Sequence, residues 1–256
     1  ESIQVKNASG ELTSTKEDTV FVPALEEFYQ SKWGCKDEQA LSNLQSIIDA
    51  GSQAGSLNIT PHEVFTAAGS LKKRWRMHKS CICSEAVRVA AFTNPGFTEW
   101  LQRWIIDPAS WQAYTVEGYL KGKESKDPAV SETRAILPLC PLGQLADVIL
   151  AARLSTELDR LIPEVAGVYK SARKGTQAAD IACAIHVSLS KSQDYGVPTA
   201  VAQLDAMQHY DRLQLGRIAA WLTQQGVDPV LVSTIVAAQT LPTIEVAVLG
   251  STLQIP

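Results

Sequence analysis

The sequence lacks an apolar run of the length that a membrane-spanning helix needs, which is about 18 residues. Its first segment, ESIQVKNASGELTSTKED, is polar and contains no apolar core of a secretory signal. We therefore expect an intracellular protein, nuclear or cytoplasmic, that is neither secreted nor attached to a membrane.

A net positive charge is also missing. Lys and Arg total 23 against 27 Asp and Glu, which gives a formal net charge of −4. Phosphate binding therefore requires a local cluster of basic side chains, because the surface as a whole does not attract nucleic acid. The 256 residues are 45% hydrophobic and 20% charged, a composition typical of a globular chain with a substantial core.

Cysteine is scarce and scattered. The cysteines are Cys35, Cys81, Cys83, Cys140 and Cys183. An odd number without regular spacing favours free thiols in a reducing compartment. The segment HKSCIC, with His62 upstream, raises the alternative of a zinc site, but it has no CxxC pair and no second pair completes four ligands.

Helical periodicity accounts for most of the chain. The predicted helices cover 20–50, 60–79, 84–92, 96–106, 142–161, 176–190, 213–225 and 228–240. Gly51 stands where a C-cap is expected after the first of them. Thr60, Pro61 and Glu63 form the sequence signature of a capping box, and the helix that they begin is predicted to end in KKRWRMHK, residues 72–79.

Strand patterns are few. Short strands are predicted on both sides of a charged loop at 121–132, a buried strand at 199–205, and a β-hairpin around Gly250 and Ser251. Many helices with a few strands predict an α+β fold.

The segment AVAQLDAMQHYDRL contains the first candidate for chemistry. A carboxylate at the end of a buried strand, here Asp205, is suited to holding Mg²⁺ for phosphoryl transfer, and Tyr210 follows at short range. The alternative is that Asp205 caps the next helix and that Tyr210 belongs to the core.

This segment resembles the first palm motif of reverse transcriptases of the LINE-like, non-LTR retrotransposon type. The resemblance implies that Asp205 is a catalytic Mg²⁺ ligand and that Tyr210 is the steric gate that rejects a ribose 2′-hydroxyl. Asp211 matches the second acid of the motif, which is more often structural.

Upstream segments follow the same family order. ETRAILPLCPLGQLADVILAARLSTEL resembles part of the fingers, GVYKSARKGTQAADIACAI resembles the block before the palm, and WQAYTVEGYLKGKESKDP stands where the family has a strand and a Lys-bearing loop. The resemblance implies that Arg134 and Lys121 or Lys123 contact the triphosphate of the incoming nucleotide. The alternative for each is an ordinary solvated surface charge.

The densest basic run is KKRWRMHK. By the same resemblance it would bind the template through charge, with an aromatic ring that stacks on a base. The residues assigned to this role are Lys72, Lys73, Arg74, Trp75, Arg76 and Lys79. The alternative is the polar face of a helix.

The resemblance implies a mostly helical fingers region that leads into a partial polymerase palm with a small antiparallel sheet. The expected regions are a helical N-terminal part at 1–59, the fingers at 60–195 and the palm at 196–256, which stops before the Tyr-x-Asp-Asp motif of the family. The implied activity is nucleotidyl transfer from deoxynucleoside triphosphates to a DNA primer on an RNA template, with Mg²⁺. Because later palm motifs are missing here, two alternatives stay open: a silent relative that binds nucleic acid, and a helical interaction domain.

Overall fold

A computed structural model describes residues 3–6, 12–15, 18–33, 38–72, 82–121, 129–130, 133–162, 177–202, 213–248 and 251–255. The chain divides into two compact units. The first combines residues 1–151 with 214–256, and the second consists of residues 152–213. The boundaries expected at 59/60 and 195/196 stay predictions.

The described strands all belong to the first unit. They are β1 (Ile3–Lys6), β2 (Leu12–Thr15), β3 (Thr115–Lys121), β4 (Arg134–Ile136), β5 (Thr243–Val248) and β6 (Ser251–Ile255). β1 and β2 form an antiparallel pair, and the other four form one sheet in the order β4-β3-β5-β6.

The α+β class predicted from the sequence is confirmed, with one correction to its sheet. The pairs β3–β4 and β5–β6 are antiparallel, as expected, but the central pair β3–β5 is parallel. These two strands are separated by residues 122–242. A parallel pair needs such a long crossover connection, whereas only residues 249 and 250 separate the antiparallel strands β5 and β6 of the hairpin that the sequence predicted.

The described helices are α1 (Asp18–Trp33), α2 (Glu38–Ala54), α3 (Pro61–Ser70), α4 (Ser84–Thr93), α5 (Phe97–Ile106), α6 (Pro108–Gln112), α7 (Pro141–Leu161), α8 (Ala178–Tyr195), α9 (Leu215–Gln224) and α10 (Pro229–Thr240). Across the described ranges, none of them is both long enough and apolar enough to cross a bilayer.

One face of the four-stranded sheet is covered by α1. Leu25 and Tyr29 of this helix are buried together with Val246 of β5. Leu120 of β3 and Ala135 of β4 pack against the same cluster. Because side chains alternate between the two faces of a strand, the residues between these positions lie on the opposite face.

The helical part of the first unit is built around α10. Its side chains are buried along most of the helix, and it packs against α2, α5, α6 and α9. Its start was predicted correctly: Asp228 is the N-cap, and its carboxylate accepts a hydrogen bond of 2.8 Å from the backbone N–H of Val230.

The predicted C-cap at Gly51 is wrong, because α2 continues through this residue to Ala54. Gly51 is buried against α10, where a Cβ atom would collide with the side chain of Ser233 and lie 2.9 Å from the carbonyl oxygen of Pro229. The glycine is therefore needed for close helix packing and does not end the helix.

The capping box predicted at α3 is present in full. The Thr60 hydroxyl accepts the backbone N–H of Glu63 at 3.3 Å, and the Glu63 carboxylate accepts the backbone N–H of Thr60 at 2.8 Å. The predicted end of this helix is wrong, since α3 ends at Ser70. Leu71 is extended and buried, so packing of this side chain directs the chain away from the helix axis before residue 72.

In the second unit, α8 extends five residues beyond its predicted end at 190 and stops before Gly196, whose φ of 64° places it in the left-handed region. The strand predicted at 199–205 is not found in its described part. Residues 199–202 have no regular secondary structure and are exposed, which includes Val201. Local alternation predicted a strand here, but a strand needs a hydrogen-bonded neighbour, and none of the described strands pairs with residues 199–202.

Candidate functional site

Most of the site residues predicted from the sequence lie outside the described residues. These are Asp205 and Tyr210 of the predicted catalytic motif, Lys123 of the charged loop, and Lys73, Arg74, Trp75, Arg76 and Lys79 of the basic run. Lys72 is described, and it is exposed just after the end of α3. The Mg²⁺ role of Asp205 stays a prediction.

Two of the predicted nucleotide-binding residues are brought together by the sheet. Lys121 ends β3 and Arg134 begins β4, and the antiparallel register places them directly opposite each other. Both are exposed, and neither forms an ion pair with another described residue. In such a cross-strand pair the Cβ atoms are about 4.5–5.5 Å apart, and like charges at this distance destabilise the sheet.

The two cations make a local positive site on a chain whose formal net charge is −4. An anion that contacts both side chains removes their mutual repulsion and forms charge-assisted hydrogen bonds with an ammonium and a guanidinium group. The geometry is therefore suited to binding phosphate. The backbone just before Arg134 is fixed by a hydrogen bond, because the backbone N–H of Thr133 donates to the carbonyl oxygen of Val130 at 3.1 Å.

Tyr119 is a neighbour of this pair that the sequence interpretation missed. It lies two positions before Lys121 on the same strand, and 51% of its surface is exposed. A usable signal was present in TVEGYLK, where Val116 and Leu120 alternate with Glu117, Tyr119 and Lys121. That period of two predicts an outward-facing tyrosine next to the outward-facing lysine.

A cleft of about 680 Å³ lies beside the other end of β3. Its lining includes Trp104, Tyr114, Glu117 and Cys140. Trp104 is in contact with both Trp111 and Tyr114, at ring-centroid distances of 4.8 and 6.1 Å.

Hydrogen bonds hold two of the polar side chains that line this cleft, Tyr114 and Cys140, in place. The backbone N–H of Cys140 donates to the phenol oxygen of Tyr114 at 3.2 Å, and the Cys140 thiol accepts the backbone N–H of Gly143 at 3.4 Å. Burial, followed by the side-chain interactions with Cys140, raises the pKa of Tyr114 far above its ordinary value, so the phenol stays protonated. The cleft therefore has a hydrogen-bonding phenol at Tyr114 that stays neutral in the ordinary pH range.

The zinc alternative receives no support from the described residues of the HKSCIC region. Cys83 is the N-cap of α4, and its thiol accepts the backbone N–H of Ala86 at 3.4 Å. Within the described ranges, no group of three or more His, Cys, Asp or Glu side chains is placed to hold a metal ion. Cys83, Cys140 and Cys183 are free thiols, as predicted.

Comparison of the sequence with models of protein families and with curated proteins finds no match.

Proposed function

We propose that this chain is the fingers region and the beginning of the palm of an RNA-directed DNA polymerase, in which the β3–β4 pair binds the triphosphate of a deoxynucleoside triphosphate. The observation that carries the proposal is the cross-strand pair of Lys121 and Arg134. The motif resemblance assigns Arg134, together with Lys121 or Lys123, to the triphosphate. The segment between Lys121 and Arg134, residues 122–133, also contains Lys123.

The remaining steps of the activity rest on the motif around Asp205. Asp205 would hold Mg²⁺, which supplies charge neutralisation at the phosphates during attack by a primer 3′-hydroxyl. Tyr210 would exclude a ribose 2′-hydroxyl by contact. The chain's partners would then be an RNA template, a DNA primer and deoxynucleoside triphosphates.

A second candidate is a relative of these enzymes that binds nucleotides or nucleic acid without catalysis. The conformation of residues 199–202 favours it, because a metal-binding carboxylate is best held at the end of a buried strand, and these residues before Asp205 are irregular and exposed. Residue Lys72 and the basic run after it would still offer charge to a nucleic-acid backbone.

Isothermal titration with inorganic tripolyphosphate tests the phosphate site directly. We expect Lys121→Ala and Arg134→Ala each to weaken binding, and the double variant to abolish it at low salt, because both cations contact the same anion. Arg217→Ala is the matched control: Arg217 is exposed on α9 and its removal changes the net charge equally. Equal losses in all three single variants would contradict a specific site.

Primer extension on an RNA template separates the two candidates. Under the first, a protein that carries this chain together with the later palm motifs extends a DNA primer, and Asp205→Asn in that protein abolishes the product. Extension that is equal in both proteins would contradict the role of Asp205. Tripolyphosphate binding without extension by either protein would favour the second candidate.

A further inference from the structure

The sheet face opposite α1 has a defined order of side chains along β3. Glu117, Tyr119 and Lys121 alternate with the residues that face α1, so all three lie on the open face. Successive members of this row are two residues apart, which is about 6.5–7 Å along a strand. An acidic, an aromatic and a basic side chain thus follow one another closely enough for one small ligand to contact neighbouring members of the row.

The flanks of Tyr119 leave its ring accessible. Its register partner on β5 is Ala247, which is exposed and has only a methyl side chain, and its partner on β4 is Ile136. The short side chain at 247 leaves room beside the ring for a planar group. With 51% of its surface exposed, Tyr119 offers an aromatic surface to a ligand on this side of the sheet.

Charge gives the face a direction. Lys121 and Arg134 lie at one end, whereas Glu117 and its register partner Glu245 lie at the other. Phosphates are attracted to the end with the two cations. A nucleotide whose phosphates contact the two cations therefore has its base near Tyr119, between the basic and acidic ends.

We propose that Tyr119 is a base-stacking residue of the same site, so that the open face of the sheet binds a nucleoside triphosphate by its base as well as by its phosphates. This inference rests on the proposed phosphate role of Lys121 and Arg134. Stacking suits a site of this kind because every base presents a π-face, so an exposed ring accepts all four nucleotides. The site discriminates a nucleotide from a bare polyphosphate.

Two ligands and two variants test the role of Tyr119. dATP and inorganic tripolyphosphate are titrated into the wild type, Tyr119→Leu and Tyr119→Phe. We expect Tyr119→Leu to weaken dATP binding about 5-fold to 100-fold, as the loss of one stacked base predicts, and to leave tripolyphosphate binding within about two-fold. Tyr119→Phe should keep the wild-type affinity for dATP, because the ring remains.

Tyr195→Leu is the matched control, since Tyr195 is an exposed tyrosine at the end of α8 and 77% of its surface is accessible. It should change neither affinity. Urea unfolding of each variant confirms that the fold is retained, as expected for an exposed side chain.

Two results would overturn the stacking role: unchanged dATP affinity in Tyr119→Leu, or an equal loss of dATP and tripolyphosphate in that variant. If Tyr119→Leu weakens the binding of a single-stranded oligodeoxynucleotide but not the binding of dATP, the nucleoside triphosphate is not the ligand that Tyr119 binds. These results can be distinguished from failure of the proposed phosphate site, because that site is tested by the binding of tripolyphosphate alone to Lys121→Ala and Arg134→Ala.

Discussion

The phenol oxygen of Tyr29 in α1 lies 3.0 Å from the hydroxyl oxygen of Thr133, and both side chains are buried. The Thr133 hydroxyl donates its single proton to the carbonyl oxygen of Val130 at 2.7 Å, so Tyr29 is the donor in the bond between the two residues. These hydrogen bonds connect α1 to a residue 104 positions later, immediately before Arg134. The N-terminal helix thereby fixes one end of the basic pair.

Thr133→Val should lower the free energy of unfolding by about 1–3 kcal/mol, because it removes the acceptor of a buried phenol and the bond to Val130 while keeping the shape of the side chain. Tyr29→Phe should cost about 0.5–1.5 kcal/mol, since it loses one hydrogen bond and keeps the ring. Urea unfolding measures both values.

A double-mutant cycle isolates the contact between Tyr29 and Thr133. If the hydroxyls are bonded, Tyr29→Phe should cost less in the Thr133→Val background than in the wild type. Strictly additive costs would contradict the bond. Thr234→Val is the control for loss of a buried hydroxyl. Thr234 donates to the carbonyl oxygen of Val230 within α10 and is not part of the hydrogen bond between Tyr29 and Thr133.

Gly51→Ala should destabilise the protein, because its Cβ collides with Ser233 and with the fixed carbonyl of Pro229. Overpacking of this kind costs about 1–3 kcal/mol, against a gain of about 1 kcal/mol from the better helix propensity of alanine. Thermal or urea unfolding measures the net loss.

Gly69→Ala is the matched control, since Gly69 lies in α3 and, among the described residues outside its own stretch of helix, no atom comes within 4 Å of its Cβ position. There only the propensity gain applies, so the variant should be slightly more stable than the wild type. A stabilised Gly51→Ala would show that α2 and α10 separate easily and would contradict the packing argument.

Features that depend on neighbouring residues in the sequence were predictable. The capping box at Thr60 and Glu63 and the N-cap at Asp228 require only local side chains and backbone, and both were predicted correctly. Gly51 and Leu71 were misinterpreted because tertiary packing decides their conformation: Gly51 is buried against α10, and Leu71 leaves the helix to bury its side chain. The parallel pairing of β3 with β5 is equally non-local and has no signature in either strand alone.

The candidate site divides in the same way. The motif resemblance points to Lys121 and Arg134 as single residues. Their position directly opposite each other follows from the register of β3 and β4, which the sequence of the segment between the two strands does not predict. The alternation in TVEGYLK predicts an outward-facing Tyr119, a residue to which the motif resemblance assigns no role. The bond from Tyr29 to Thr133 could not be predicted, since nothing local connects residues that far apart.

Thr60→Ala should lower the free energy of unfolding by about 0.5–2 kcal/mol, because the N-cap hydroxyl accepts the backbone N–H of Glu63 and donates to its carboxylate at 2.9 Å. Thr66→Ala makes the same change at an exposed position inside α3 and should be neutral or slightly stabilising. Equal destabilisation by the two substitutions, measured by urea unfolding, would show that the cap contributes nothing beyond an ordinary threonine.

The stability of the protein should also depend on Asp147 of α7, where burial raises the pKa of the carboxyl above its usual value of 3.8. Between 3.8 and the raised pKa, the folded state holds a proton that the unfolded state has released. Stability is therefore lost as the pH rises through this window, and the ionised carboxylate remains unfavourable at neutral pH.

Asp147→Asn removes this ionisation, so the variant should be more stable than the wild type at pH 7, and the difference should shrink as the pH falls toward 3.5, where both side chains are neutral. Urea unfolding at several pH values measures the difference. Asp194→Asn, at an exposed position of α8, controls for the loss of one negative charge. A stability difference between Asp147→Asn and the wild type that is constant with pH would contradict the buried carboxylate as its cause.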